Sequence, residues 1–109
     1  MRFLPQLFLF VLATIVITFL PGCSDKQGSA SGEQLFSMHC AGCHPNGSNT
    51  ITPSKTLKTS DLRANMITTP VGIVEKMRNP GPGMPRFTEA MIPDYQAIRI
   101  GKYVLKTFH

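Results

Sequence analysis

The pentapeptide Cys40-Ala41-Gly42-Cys43-His44 constrains this chain more than any other feature. Two thiols three positions apart can each form a thioether with one vinyl group of a haem. The imidazole that follows at once can then reach the iron from the proximal side. Two rival chemistries use the same cysteine pair. A dithiol redox site needs a preceding strand in a βαβ setting, and no run here alternates long enough to read as a strand. A structural zinc site needs a second pair of ligands, and the sequence has one Cys-x-x-Cys. The motif therefore points to one covalent haem c, attached through Cys40 and Cys43, with His44 as an iron ligand.

Haem attachment of this kind is expected in exported chains, and the N-terminus has that character. Arg2 gives a short positive start, and Leu7 to Leu20 is apolar except for Thr14 and Thr18. That length suits a signal segment better than a membrane-spanning helix. Leu20-Pro21-Gly22-Cys23 resembles a bacterial lipoprotein processing site. Residues 1–22 are expected to be a lipoprotein signal peptide, and Cys23 the acylated first residue. Release as a soluble form and retention of an uncleaved anchor are the other outcomes, and all three place the domain outside the cytoplasm. Ser24, rather than Asp, after the cysteine favours the outer membrane over the inner. Residues 23–31 read as the lipidated cysteine and a flexible polar tether. Residues 32–109 read as one domain, lipid-anchored in the bacterial cell envelope and facing the periplasm.

A chain of 109 residues is too short for a Rossmann domain or a multidomain enzyme. Beyond the leader its aromatic residues are Phe36, Phe87, Tyr95, Tyr103 and Phe108, with no Trp. So small a core needs a staple, and a haem ring supplies apolar volume. The net charge is +5, but the basic residues are scattered. No segment resembles a nucleic-acid-binding arm. The charge reads as a solvated basic surface or as mild steering toward an acidic protein.

A second iron ligand should come from the distal side. Met38, Met66, Met77, Met84, Met91, His39 and His109 are the candidates. Met84 lies in Asn79-Pro80-Gly81-Pro82-Gly83-Met84-Pro85, an irregular loop that can approach a flat cofactor closely. Its thioether is a soft neutral ligand that raises the potential. The alternative is a loop methionine packed as filler. Met91 is the runner-up. Met38 is too close to Cys40, His39 should be exposed and His109 frayed. The other methionines should be core residues.

The rest of the chain predicts helices. One covers Gly32 to Ala41. Asn46 to Asn49 is turn-rich. Leu57, Leu62 and Met66 suggest a short helix capped by Ser60, with Asp61 in its first turn. Thr69 caps a third helix that starts at Pro70 and stops before Pro80. Its apolar face is expected at Val71, Val74 and Met77, flanked by Ile73. The last helix runs from Pro93 to about Thr107, with Ala97, Ile100, Gly101, Val104 and Phe108 as its stripe. Gly101 costs helix propensity and implies that a helix or the haem edge comes close. The expected fold class is all-α.

With these residues in order, the chain resembles a class I cytochrome c. It is most similar to the cytochrome c6 family and to its monohaem lipoprotein relatives in metal-respiring bacteria. The resemblance rests on Gly32-x-x-x-Phe36-x-x-x-Cys40-x-x-Cys43-His44, Lys55-Thr56-Leu57, Gly83-Met84-Pro85-x-Phe87 and Tyr103-Val104-Leu105. It implies that Gly32 and Phe36 meet Ile100 and Tyr103 where the terminal helices cross. It implies His44 and Met84 as the iron ligands, and a carbonyl from Pro45 to Pro53 that accepts the other His44 N–H. Lys76 departs from the glutamine that photosynthetic members often carry there. It would either turn to solvent or add positive charge near the ring. The implied function is membrane-tethered electron transfer, not an enzyme. The chain would be a monomer exchanging electrons with other redox proteins, multihaem cytochromes among them. The rival readings are an open-site haem enzyme or gas binder, and a regulatory or assembly lipoprotein whose haem is structural.

Overall fold

Ser31 starts the first helix by capping it twice. The computed structural model describes residues 30–109, and in it α1 spans Gly32–His39. The Gln34 N–H donates to Ser31 Oγ at 3.1 Å, and the Ser31 N–H donates to Gln34 Oε1 at 2.9 Å. This reciprocal pair satisfies two otherwise orphaned donors. Leu35 and Phe36 are the buried residues of α1. The helix stops short of the expected Ala41. The N–H groups of Cys40 and Ala41 both donate to the Phe36 carbonyl, at 2.8 and 3.0 Å, which closes the last turn. Residues 1–29, including the leader, Cys23 and most of the tether, lie outside the described residues.

A 3₁₀ turn at Pro45–Gly47 falls where a turn was expected. The second helix, α2, spans Thr59–Ala64 with Lys58 as its N-cap. Ser60 does not cap it, because the helix begins earlier. Thr59 uses both its donors elsewhere: its N–H and its Oγ1 bond the Phe108 carbonyl at 3.0 and 2.8 Å. A tertiary latch to the end of the chain thus stands where a side-chain cap was predicted. Asp61 in the first turn accepts from Thr56 Oγ1 and from the Thr56 N–H.

The third helix, α3, spans Pro70–Arg78, and Thr69 Oγ1 accepts from the Gly72 N–H at 3.1 Å. Its buried face differs from the expected one. Ile73 and Met77 are buried, Val74 lies at the edge, and Val71 is 55% exposed. The fourth helix, α4, spans Asp94–Thr107 and buries Gln96, Ala97, Ile100, Gly101 and Val104. Both α1 and α3 pack against it. No strand occurs among the described residues, so the architecture is all-α.

Two glycines set those crossings. A methyl group on Gly32 would strike the Arg99 carbonyl oxygen and come within 2.9 Å of Tyr103 Cβ. One on Gly101 would come within 2.8 Å of the Pro70 carbonyl oxygen. Beside the first crossing, Phe36, Tyr103 and Phe108 form a cluster with ring centroids 5.3 to 5.9 Å apart. The largest fully buried side chains are Ile92, Ile100 and Val104. Of the two methionines expected in the core, Met77 is 3% exposed and buried there, whereas Met66 is 89% exposed, in the turn after α2.

Two predictions follow from this packing. Gly101→Ala should destabilise by about 1–3 kcal/mol even though alanine is the better helix former. Thermal unfolding of the holoprotein reads this as a drop of roughly 4–8 °C per kcal/mol; an unchanged midpoint would mean that α3 and α4 separate freely. The hydrogen bonds from Thr56, side chain before backbone, hold the Asp61 carboxyl below its usual range, with Lys58 and Ser60 adding to the effect. A depressed folded-state pKa stabilises above the unfolded value of about 3.9 and is lost as pH falls through the folded value. Asp61→Asn should therefore lower the unfolding midpoint at neutral pH, and the gap to wild type should close on acidification.

Candidate functional site

Because α1 ends at Cys40, the cysteine pair sits in a tight turn at the mouth of the interior. The N–H groups of Cys43 and His44 donate to the Cys40 carbonyl at 3.2 and 2.9 Å. Cys40 is half-buried and Cys43 exposed, and burial pushes the Cys40 thiol up to about 11. It therefore stays protonated at neutral pH, unlike a redox-active thiolate. Among the described residues no group of three or more His, Cys, Asp or Glu side chains is placed to hold a metal ion.

The chain then folds back beneath His44. Asn46 and Gly47 adopt left-handed φ values of 53° and 78°, which glycine tolerates and asparagine can. The reversal brings the Ser48 carbonyl to 2.8 Å from His44 Nδ1. Nδ1 then carries the proton, and Nε2 keeps a free lone pair. Ser48 is the acceptor that the spacing of the loop could not name. The turn has no room above it. A methyl group on Gly47 would lie 2.6 Å from the Phe108 ring, so the aromatic cluster holds the turn in place.

The interior opens into a cleft of about 680 Å³, lined among others by Cys40, Cys43, His44, Leu62, Met77 and Met84. Phe36 and Ile100 also reach it, while Gly32 and Tyr103 do not line it and instead form the crossing behind it. Met84 is half-buried and comes from the loop after α3. Two attachments hold that loop. The Phe87 N–H donates to the Met77 carbonyl at 3.0 Å, and Arg78 Nη1 donates to the Phe87 carbonyl at 3.0 Å. Sequence reasoning missed Arg78. Its signal was an arginine in the last turn of one helix and Asp94 in the first turn of the next, on either side of the proline-rich loop.

The other candidates fall differently. Met91 and His109 do not line the cleft, nor does Met38. Met66 lies at the mouth, and Met77 is buried in the wall. His39 is half-buried rather than exposed, because its ring stands edge-on to Phe87 with centroids 6.4 Å apart. Lys76 lines the cleft, and its Nζ would lie 3.8 Å from a methyl group on Gly81. Its ammonium thus reaches the Met84 loop.

These residues fit a haem c. The volume is in the range of cofactor sites and the walls are largely apolar. The same cleft is lined by two thiols, by an imidazole whose Nδ1 is committed to the Ser48 carbonyl, and by the Met84 thioether.

A family model described as "Cytochrome C oxidase, cbb3-type, subunit III" matches residues 27–104. Cytochrome c6 of Cyanidioschyzon merolae is 37% identical, over 92% of this chain and 91% of that protein. Cytochrome c6 of Synechocystis is 41% identical over 70% and 62% of the two chains. Among solved structures, OmcF, the outer membrane cytochrome F of Geobacter sulfurreducens, is 52% identical with a TM-score of 0.71. That match covers 72% of this chain and 100% of the other. Cytochrome c6 of the diatom Phaeodactylum tricornutum is 32% identical with a TM-score of 0.63, over 69% and 87%. The chain belongs to the family of that model and is a small class I cytochrome c domain closely related to cytochrome c6 and OmcF.

Proposed function

We propose that this c-type electron-transfer domain holds one haem c through Cys40 and Cys43, with His44 and Met84 as the two iron ligands. The observation that carries the reading is the bond from His44 Nδ1 to the Ser48 carbonyl in the cleft that Met84 enters from the opposing loop. A bound haem c would supply one-electron exchange between ferric and ferrous states. The chain's own residues supply the rest. Ser48 fixes the imidazole tautomer and its orientation. Met84 contributes a neutral sulfur that favours the reduced state. Leu62, Ile73 and Met77 exclude water, which lowers the reorganisation that a charge change demands. A haem held by both His44 and Met84 would have no open position for a substrate, and the domain would act as a carrier.

The working surroundings follow from several supports. OmcF is described as an outer membrane cytochrome, and the Leu20–Cys23 sequence here resembles a lipoprotein processing site. Together they favour a lipid-anchored domain on the outer membrane, facing the periplasm. Its partners would be other redox proteins, including multihaem cytochromes, met through short-lived contacts of small area. Lys55 and Lys76 at the cleft favour partners with acidic surfaces.

The optical spectrum tests the ligand set. Ferric holoprotein should show the weak red sulfur-to-iron charge-transfer band, and the ferrous form sharp low-spin c-type bands. Met84→Ala should lose the red band and become high-spin. A wild-type protein that is high-spin and binds carbon monoxide rapidly when reduced would overturn the reading. A second expectation concerns Lys76. Removing its positive charge with Lys76→Gln should favour the oxidised state and lower the reduction potential, and the shift should shrink with added salt. Equal potentials in the two proteins would place the ammonium outside the electrostatic reach of the iron.

A further inference from the structure

The loop that carries Met84 has few means of holding its own shape. It runs from Asn79 to Pro93, between α3 and α4. Pro80, Pro82 and Pro85 bring no N–H donors to it. The Met84 N–H reaches only the Gly81 carbonyl, at 3.5 Å. Its firm fastenings are at the far end: the Phe87 N–H donates to the Met77 carbonyl at 3.0 Å, and the others centre on Arg78. There Nη1 donates to the Phe87 carbonyl at 3.0 Å, and Nη2 donates to the Ile92 carbonyl at 2.8 Å and to Asp94 Oδ1 at 2.6 Å. One planar group thus ties the end of α3 to two points of the loop and to the start of α4.

We propose that Arg78 is the positioning residue that keeps Met84 on the iron, acting through the loop as a clasp. The proposal rests on the Met84 ligation put forward above. The two carbonyl bonds matter more than the ion pair. The Arg78 side chain is 18% exposed and its Asp94 partner 64%, and solvent screens a pair that open. The Phe87 and Ile92 carbonyls, by contrast, would lose a charged donor in a sheltered place. Water could replace it once the loop lifts from α3, and lifting the loop carries Met84 out of the cleft. A lysine has the same charge, but it cannot present the planar fork that serves carbonyls at residues 87 and 92 together. Arg78→Lys therefore separates geometry from charge.

The test measures imidazole affinity in the ferric holoprotein, because imidazole takes the distal position only when Met84 leaves. The charge-transfer band is followed in the same titration. Arg78→Gln should raise the affinity by about tenfold or more, the size expected for losing charged hydrogen bonds. Arg78→Lys should fall between this variant and wild type, and Asp94→Asn should change the affinity by less than about threefold. Leu105→Ala, on α4 and outside the cleft lining, serves as the comparison for general destabilisation. It should lower the unfolding midpoint and leave imidazole affinity within about twofold of wild type, as expected for distant, independent sites. Equal shifts for Arg78→Gln and Leu105→Ala, or none for Arg78→Gln, would overturn the clasp. Should Arg78→Gln fail to assemble, Arg78→Lys decides: an affinity unchanged from wild type overturns it. A wild-type protein without the charge-transfer band removes Met84 as ligand and the clasp with it. A wild-type protein with the band and unresponsive Arg78 variants removes the clasp alone.

Discussion

Where α1 crosses α4, backbone meets backbone. Gly32 has no side chain there, and a methyl group would strike the Arg99 carbonyl oxygen. The contact brings Phe36 against Tyr103 and lets Phe108 close on both rings. Phe108 then reaches in two directions. Its carbonyl accepts from Thr59, and its ring lies over Gly47. The turn beneath His44 and the start of α2 are thus both held by the last helix. The orientation of the imidazole depends, through Ser48 and Gly47, on a contact between two helices that never touch it.

The centre of the domain is not filled by its own side chains. Its largest fully buried residues are two isoleucines and a valine, and a cleft of about 680 Å³ remains beside them. A covalent ring would complete the core and the redox centre in one step. The loop on the opposing side cannot lean on helical hydrogen bonds, because prolines interrupt it. It is held by the Arg78 side chain and by one backbone bond, from the Phe87 N–H to the Met77 carbonyl. The wall at His44 is therefore backbone-built and tight, and the Met84 loop leans mainly on one guanidinium. That asymmetry suits a histidine, which the chain carries beside the attachment cysteines, and a methionine, which must be brought from forty positions away in sequence.

Much of the fold was legible in the sequence because local rules decide it. Thr69 and Pro70 mark the start of α3, and Pro80 ends it for steric reasons alone. Of the expected stripe Ala97, Ile100, Gly101, Val104 and Phe108, the first four repeat at helical spacing and are buried on α4, while Phe108 follows the helix as its C-cap and is half-buried. The misreadings occur where a distant residue overrides a local preference. Ser60 is a good cap by type, but Thr59 is held by Phe108 and the helix starts there. Val71 shares a spacing with Met77, yet the contact of Pro70 with Gly101 turns the Ile73–Met77 face inward. Met66 is apolar by type but exposed by position, because the chain leaves α2 there through a left-handed backbone conformation.

The sequence alone determined which groups are on offer: two thiols and an imidazole at fixed offsets, and a thioether in a loop that has no regular structure to adopt. Those properties lie in residue type and spacing, which folding does not alter. Only the tertiary structure decided which atoms cooperate. Ser48 as the partner of His44 depends on left-handed backbone at Asn46 and Gly47. Arg78 as the fastening of the Met84 loop depends on carbonyls 9 and 14 residues further along. The reach of Lys76 to Gly81 depends on how α3 meets that loop. Backbone carbonyls look alike in every sequence, so their use as acceptors appears only when the chain has closed around them.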